Sequence, residues 1–560
     1  VLLATAAVFQ TVLRHEFLNW DDPQCLVANA ALEREGVVAW AFSTTHMSHY
    51  QPLSWLAWAL LRQLAGASAA AHHAASLLAH LLGAALVFAL SWRLGSLAGL
   101  LPGPRRAAAV LAASFFALHP LRVEPVAWAS AFPYLLALPF LLLALLGYLR
   151  YASGSGAAAP LVFSLAAYTL AQLCRAAAPA LPLVLLVADL ALGRMARVGW
   201  RRALLEKGPF ALVALLTTLA EARARSFAPL ERVGFGARLT DALGAPIVYL
   251  ARTLWPVELS PLDVQPLAPE ASAGRLLASL ALLVAASLAA WHVRARRPWV
   301  LAGWLAYLLL LAPAAGLTPS GLQASADRYT YVPGVALALL AGAGAARLWS
   351  GAARAAWLAA GLALGMALAV QTVRQLGYWR DSVALWTRAV ELDPRNDVAL
   401  YNLALALEAA GDQAGATQRY REVLGLVPDH APAGGNLARL EALRLEREAG
   451  AAAASGRLEE AIGLYGRALE QDPARLHSRR SRGMALAQLG RFEQALPDLQ
   501  AAVAGGGAEP EVAAALALVL VQGGRRDDAV AVLREAVARH PDVPGLAREL
   551  ARLEDRIRGQ

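Results

Sequence analysis

The chain has 560 residues, 58% of them hydrophobic and 16% charged, with a net charge of +9 and a mean hydropathy of +0.46. Soluble domains carry about 25% charged residues, so a wholly water-soluble protein is excluded, and the length calls for at least two domains. The positive charge does not mark a nucleic-acid partner. Arg105 and Arg106, Arg194 to Lys207, Arg294 to Arg297, Arg347 and Arg354 lie in short loops between apolar runs, the distribution of cytoplasmic loops in membrane proteins. The two cysteines, Cys25 and Cys174, have neither metal-ligand nor redox spacing.

The sequence opens on Val1 rather than Met, so an incomplete N-terminus is expected. An apolar run to about Val12 is followed by "EFLNWDDPQCLVANAAL", which places Asp21 and Asp22 beside Phe17 and Trp20 where a membrane helix would emerge. Further spans are predicted at 72–92, 106–119, 130–149, 158–174, 176–192, 208–222, 274–293, 298–313, 330–348 and 354–371. With the opening run this makes about 11, several of them borrowing from their flanks to reach the roughly 17–25 residues a crossing needs. Two more apolar stretches, 51–64 and 238–256, carry Arg or Pro together with Trp and read as interfacial helices. Keeping them out of the count puts every arginine-rich loop on the cytoplasmic side. The N-terminus is then inside and everything after residue 371 outside.

That topology gathers ionisable residues at one face. Asp21, Asp22, His119, Arg122, Glu124, Arg175, Arg252, Asp327 and Arg328 all fall at or near outer ends of spans. Charges there are costly, and such a set is by default functional. Asp189 lies toward the other end and has no assigned role. His73 and His80 share a helix face and suit packing better than metal binding.

From about residue 375 the composition changes. Segments beginning at Gly377, Gly411, Gly456, Gly490 and Gly524 share a small residue five positions on and a large one nine positions on. Pro follows at the seventeenth position in four of them. The glycine spacings of 34, 45, 34 and 34 are the tetratricopeptide period, with an insertion in the Ala-rich "EREAGAAAASG". The fold expected is all-α: a polytopic transmembrane domain over 1–374, then a tetratricopeptide-repeat α-solenoid over 375–560, whose concave face binds a protein partner.

In combination, "FLNWDDPQCLVANAAL", "YQPLSWLAWAL", "HHAASLLAHLLGAAL", "ALHPLRVEPVAWAS", "RTLWPVELSP" and "ADRYTYVP" resemble motifs of bacterial membrane proteins with C-terminal tetratricopeptide repeats. These are similar to the transmembrane-and-tetratricopeptide-repeat O-mannosyltransferases of the glycosyltransferase C superfamily. The resemblance implies inverting transfer of a sugar, with mannose one candidate, from a polyprenyl-phosphate carrier to a hydroxyl of a protein or other acceptor outside the bacterial inner membrane. The family's acidic motif maps onto Asp21 and Asp22. The chain departs from the pattern in having Ser76 in place of Asn, Arg122 in place of His, no Lys near Arg175, and no Asn-Pro in "VANAAL".

Such a transfer needs a carboxylate to take the proton of the attacking hydroxyl and cations to stabilise the departing phosphate. Asp21 or Asp22 supplies the base. Arg328, Arg252 or Arg175 grips the lipid phosphate. The second carboxylate either orients the acceptor or holds a divalent cation; no other cofactor is implied. His119, Glu124 and Asp327 line the site, or else His119 and Glu124 shape the "HPLRVEP" hairpin. The reading from another class is a non-catalytic membrane scaffold whose repeats assemble envelope proteins.

Overall fold

A computed structural model describes residues 1–154, 157–224, 234–264, 273–317, 323–349, 354–506 and 509–558. The chain divides into two compact units, Val1–Ala406 and Leu407–Gln560. Regular structure among the described residues is helical, apart from an antiparallel pair of short strands, Asp263–Val264 and Gln323–Ser325.

Every apolar segment predicted as a span contains a helix, although the one within 176–192 begins only at Leu181. Ala69–Leu97, Ala129–Ser153, Trp200–Ala224, Ala273–His292 and Arg354–Tyr378 are each long and apolar enough to cross a membrane. Pro102–Ala117 and Pro120–Ala127 qualify only together, bent by 59°. The bend has a local cause: Pro120 excludes helical geometry from the residue before it, and His119 is accordingly extended at φ −77°, ψ 135°. Leu2–Arg14, Ala159–Cys174, Leu181–Ala191, Pro298–Ala314 and Pro333–Leu348 are apolar but shorter than the roughly 20 residues of a full crossing. Length and composition thus support five crossings, or six with the bent pair, where about 11 were expected. The interfacial candidates form helices Pro52–Ala65 and Phe235–Leu254, and neither is among those apolar enough to cross.

Apolar side chains left outside the core account for the apolar excess. Only 6% of the most apolar window of Ala273–His292 is buried, and 11% of that of Arg354–Tyr378. Leu277, Leu288, Leu362 and Met366 stand exposed along them. Water does not tolerate apolar faces of that extent, whereas a bilayer does. Asp189, by contrast, is fully buried. It accepts hydrogen bonds from Tyr148 Oη (2.7 Å), Arg194 Nη1 (3.3 Å) and Lys207, and Arg194 also pairs with Glu206 (2.7 Å). It closes a buried ion network that includes Tyr148, near the C-terminal end of the helix Phe132–Ser153.

Five helix pairs follow: Ser382–Leu392 with Asp397–Ala409, Gln413–Leu426 with Ala431–Ala454, Leu458–Gln471 with Leu476–Gln488, Phe492–Gly506 with Pro510–Gln522, and Arg526–Arg539 with Pro544–Arg558. Gly411, Gly456, Gly490 and Gly524 hold φ between +75° and +87°, the left-handed turn that ends a helix and suits glycine. The small and large positions of the pattern make the core. Ala416, Ala461, Ala495 and Ala529 are fully buried, and Trp386, Tyr420, Tyr465, Leu499 and Leu533 nearly so. The insertion lengthens one helix: Ala431–Ala454 has 24 residues against 13 in Asp397–Ala409, about three extra turns.

Gly377 differs from the other four. It lies inside the helix Arg354–Tyr378, which runs to the edge of the first repeat without a turn. The segment leading into the first repeat is therefore helical. The first repeat then packs with the preceding helices, so the division between compact units falls after Ala406, later than the sequence boundary at 374.

Candidate active site

The loop 18–22 carries the two carboxylates, and the structure separates their roles. Asp22 is fully buried. Its Oδ2 accepts the Leu18 N–H (2.9 Å), and its Oδ1 accepts both the Ser130 N–H (2.9 Å) and the Ser130 hydroxyl (2.5 Å). Burial pushes its carboxyl up to about 6 against the pull of those hydrogen bonds. Asp22 is a clasp tying its loop to residues 129–131.

Asp21 is half-buried, and among the described residues its carboxylate has neither hydrogen bond nor ion pair. Burial raises its pKa above the ordinary value, while the charges of Arg328 and Arg175 oppose the rise. Two of the three arginines expected to grip phosphate are therefore close enough to act on this carboxylate.

Their environments differ. Arg175 ends the helix Ala159–Cys174. It donates to Gln51 Oε1 (3.0 Å) and toward His49 Nε2 (3.4 Å), and lies 4.4 Å from the Tyr134 ring centre. His49 Nδ1 is 2.9 Å from Glu221 Oε1. His49 thus stands between Arg175 and Glu221. No carboxylate forms an ion pair with Arg175 among the described residues.

Arg328 is anchored. Glu124 accepts its backbone N–H (3.0 Å) and its guanidinium, and Gln323 accepts a second guanidinium N–H. The Trp128 and Tyr329 rings lie 5.1 and 4.8 Å from its Cζ. Arg252 is held by two carboxylates, Asp263 (2.5 Å) and Asp327 (3.5 Å). Burial, with Glu124 nearby, raises the Asp327 carboxyl well above its ordinary range. By direct ion pairs Arg252 is the most committed and Arg328 next, while Arg175 feels the Glu221 charge without pairing with it.

Of the residues expected to line the site, His119 and Glu124 are buried. His119 Nε2 donates to the Thr253 carbonyl (2.9 Å), and its Nδ1 accepts from Leu121 N (3.3 Å), so the imidazole caps the turn after the bend. Glu124 acts through Arg328. Asp327 belongs to the Arg252 group rather than to the Asp21 loop. Arg122 packs against Gly334, where a Cβ would come within 2.5 Å of its Nη2. A larger residue at 334 would have to displace that guanidinium.

Several neighbours escaped the sequence reading: Asn19, His49, Gln51, Trp128, Tyr134 and Glu221, while Trp20 was read only as a neighbour of the carboxylates and Trp386 only as the large position of the first repeat. Trp20 stacks on Trp128 (4.6 Å, 18°) and lies 5.2 Å from Trp386. The buried Trp128 Nε1 finds no acceptor among the described residues. Gln51, Trp20 and Trp128 sit inside the quoted motifs, which is the signal that could have found them. His49, Tyr134 and Glu221 carry none.

A divalent cation shared by Asp21 and Asp22 fits poorly. Asp22 would have to release the hydrogen bonds that hold the loop, and no three His, Cys, Asp or Glu side chains gather into a cation site among the described residues.

Residues 385–418 match a tetratricopeptide repeat model, and residues 477–557 match the model described as "T7SS, ESX-1 secretion system protein EccA1, N-terminal domain". The C-terminal region carries tetratricopeptide repeats. Protein FlbA of Caulobacter vibrioides is 32% identical over 149 residues, covering 26% of this chain and 22% of that protein. Mouse Protein O-mannosyl-transferase TMTC1 is 30% identical over 174 residues, covering 30% of this chain and 18% of that protein. The chain matches less than a quarter of the length of either relative. A solved tetratricopeptide protein from Thermus thermophilus is 26% identical, covering 34% of this chain and 96% of its own, with a TM-score of 0.16. YrrB, described as a tetratricopeptide protein with an unusual peptide-binding site, is 17% identical, covering 30% and 81%, with a TM-score of 0.19.

Proposed function

We propose that the chain is an integral-membrane glycosyltransferase that moves a sugar, with mannose the first donor to test, from a polyprenyl-phosphate carrier to an acceptor hydroxyl at the extracytoplasmic face. The observation that carries this reading is the contrast between two adjacent carboxylates. Asp22 is saturated with hydrogen bonds, while Asp21 is unpartnered among the described residues and lies within the fields of Arg175 and Arg328. A structural loop has no use for the second carboxylate. A base facing a phosphorylated leaving group does.

Asp21 removes the proton of the acceptor hydroxyl as its oxygen attacks the anomeric carbon. The bond from that carbon to the phosphate oxygen breaks on the opposite face, inverting the centre. The electron pair leaves on the lipid phosphate, whose growing charge Arg175 and Arg328 stabilise. The resemblance to O-mannosyltransferases and the partial match to TMTC1 support this reading.

The scaffold reading is favoured by one fact: both family models fall on the repeats. An assay with a mannosylated polyprenyl phosphate and a peptide pool separates the two. Transfer that depends on Asp21 supports the enzyme. Unaltered envelope glycans in a deletion strain that loses an envelope complex support the scaffold.

A further inference from the structure

A second feature lies far from the Asp21 loop and does not depend on its chemistry. Arg93, Leu146, Arg150, Ser153, Pro160 and Phe163 are among the residues lining a cleft of about 870 Å³. Two arginines share this lining with the apolar Leu146, Pro160 and Phe163. Arg93 is fixed by a hydrogen bond to Ser153 Oγ (2.5 Å), and that hydroxyl donates to the Leu149 carbonyl (2.6 Å). Arg150 is exposed and has no side-chain partner among the described residues. Gly147 lets the helix Ala159–Cys174 pack closely: a Cβ there would come within 2.9 Å of Phe163.

Helix geometry places this cleft. Ser130, which clasps Asp22, stands just before the helix Phe132–Ser153, and Arg150 lies near that helix's other end. At 1.5 Å per residue the separation is about 30 Å. His73 touches the Glu16 carbonyl (3.4 Å) near the start of Ala69–Leu97, and Arg93 is 20 residues further along, again about 30 Å. That is the thickness of a bilayer's hydrocarbon core. The cleft sits one membrane thickness from the candidate active site, where the opposite headgroup layer would lie.

We infer that this cleft binds the phosphodiester headgroup of an anionic phospholipid. The two guanidiniums meet the phosphate oxygens, and Leu146, Pro160 and Phe163 cover the first methylenes of an acyl chain. Basic pockets between transmembrane helices at the headgroup level recognise lipids in this way. The uncapped start of the helix Ala159–Cys174 at the rim adds a favourable dipole for the same anion.

Native mass spectrometry of the full chain, released from vesicles of equal phosphatidylglycerol and phosphatidylcholine, tests the inference. The wild type should retain phosphatidylglycerol selectively. Arg93→Gln with Arg150→Gln should lower retention by roughly fivefold for each charge removed, and the corresponding double lysine variant should keep most of it. Equal retention of the two lipids, or undiminished retention by the double glutamine variant, would overturn it. A measurement on the wild type alone guards against misfolding. Excess inorganic phosphate, having no acyl chain, should fail to displace the bound lipid. Displacement would show a free-anion site and refute the lipid assignment.

Discussion

The Trp386 indole donates a hydrogen bond to Asn19 Oδ1 at 2.5 Å, joining the first tetratricopeptide helix to the loop that carries Asp21. The contact is reinforced on every side of Asn19. Its backbone N–H donates to Ser382 Oγ (2.9 Å), and its amide donates to the Asn402 carbonyl (3.1 Å). Glu16 N donates to the Arg380 carbonyl (3.0 Å), and Trp20 lies between Trp128 and Trp386. The first repeat therefore does more than open an array: it forms one wall of the acidic loop's seat. Asn19→Ala removes the side chain at its centre and leaves the carboxylates in place. Transfer should fall about tenfold to a hundredfold, the cost of misplacing a catalytic group by an ångström or so. The loss should appear in kcat with the KM for lipid donor little changed. An equal loss in both would place Asn19 in donor binding instead.

The two carboxylates should fail in different ways. Asp21→Asn should cut transfer by about a hundredfold to ten-thousandfold, the usual range for a lost general base, with unfolding temperature unchanged. Asp22→Asn turns one acceptor oxygen into a donor facing N–H and O–H groups. Each buried group left unsatisfied costs about 1–3 kcal/mol, so this variant should melt earlier. Thermal unfolding and a transfer assay on both proteins check the division. Full activity of Asp21→Asn would remove Asp21 as the base.

The pH profile follows from the direction of the Asp21 shift. A general base works deprotonated, so activity must fall as pH drops through its pKa. Burial raises that pKa, so the acid limb of kcat/KM should lie above the ordinary carboxylate value of about 4. Arg175 and Arg328 lower it by charge. Arg175→Gln should therefore move the acid limb to higher pH as well as slow the reaction. A limb that stays in place while the rate falls would mean that Arg175 acts only on the phosphate.

How much of this was legible in sequence depended on whether the signal was local. Glycines at a 34-residue period announce the repeats because each unit builds the same turn, and the buried pair Ala461 and Tyr465 follows from spacing alone. Apolar runs announce the long apolar helices. The division of labour between Asp21 and Asp22 could not be read, because it depends on Ser130, 108 residues further along. Nor could the seat formed by Trp386, which is 367 residues from Asn19. His119 looked like a site residue from its neighbours, whereas the structure uses both of its nitrogens to hold a bend that Pro120 imposes.

Topology can be tested with single cysteines and a membrane-impermeant thiol reagent in intact cells. Cysteines at Arg201 and Arg296 should be protected if the arginine-rich loops face the cytoplasm. The reporter for the other side belongs at Val257, which is 40% exposed, since Asp263 is engaged by Arg252 and Ser325. It should label. Equal labelling at Arg296 and Val257 would mean that Phe235–Leu254 crosses the membrane after all.

Truncation separates the first repeat from the others. A cut before residue 397 would remove Asn402, whose carbonyl accepts from Asn19, and would damage the acidic loop's seat along with the array. Deleting 411–560 keeps both helices of the first pair, which end at Ala409. If the later repeats capture a protein acceptor, this shorter deletion should spare donor binding and slow transfer to the natural protein. Tethering raises local acceptor concentration to about the millimolar range, so a short peptide supplied at that concentration should recover most of the rate. Deleting 382–560 also removes Trp386 and Ser382, and the same peptide should not rescue it. Rescue of both truncations would show that the first repeat contributes nothing to the loop. Full transfer to the natural protein by the 411–560 deletion would assign the later repeats to assembly rather than acceptor capture.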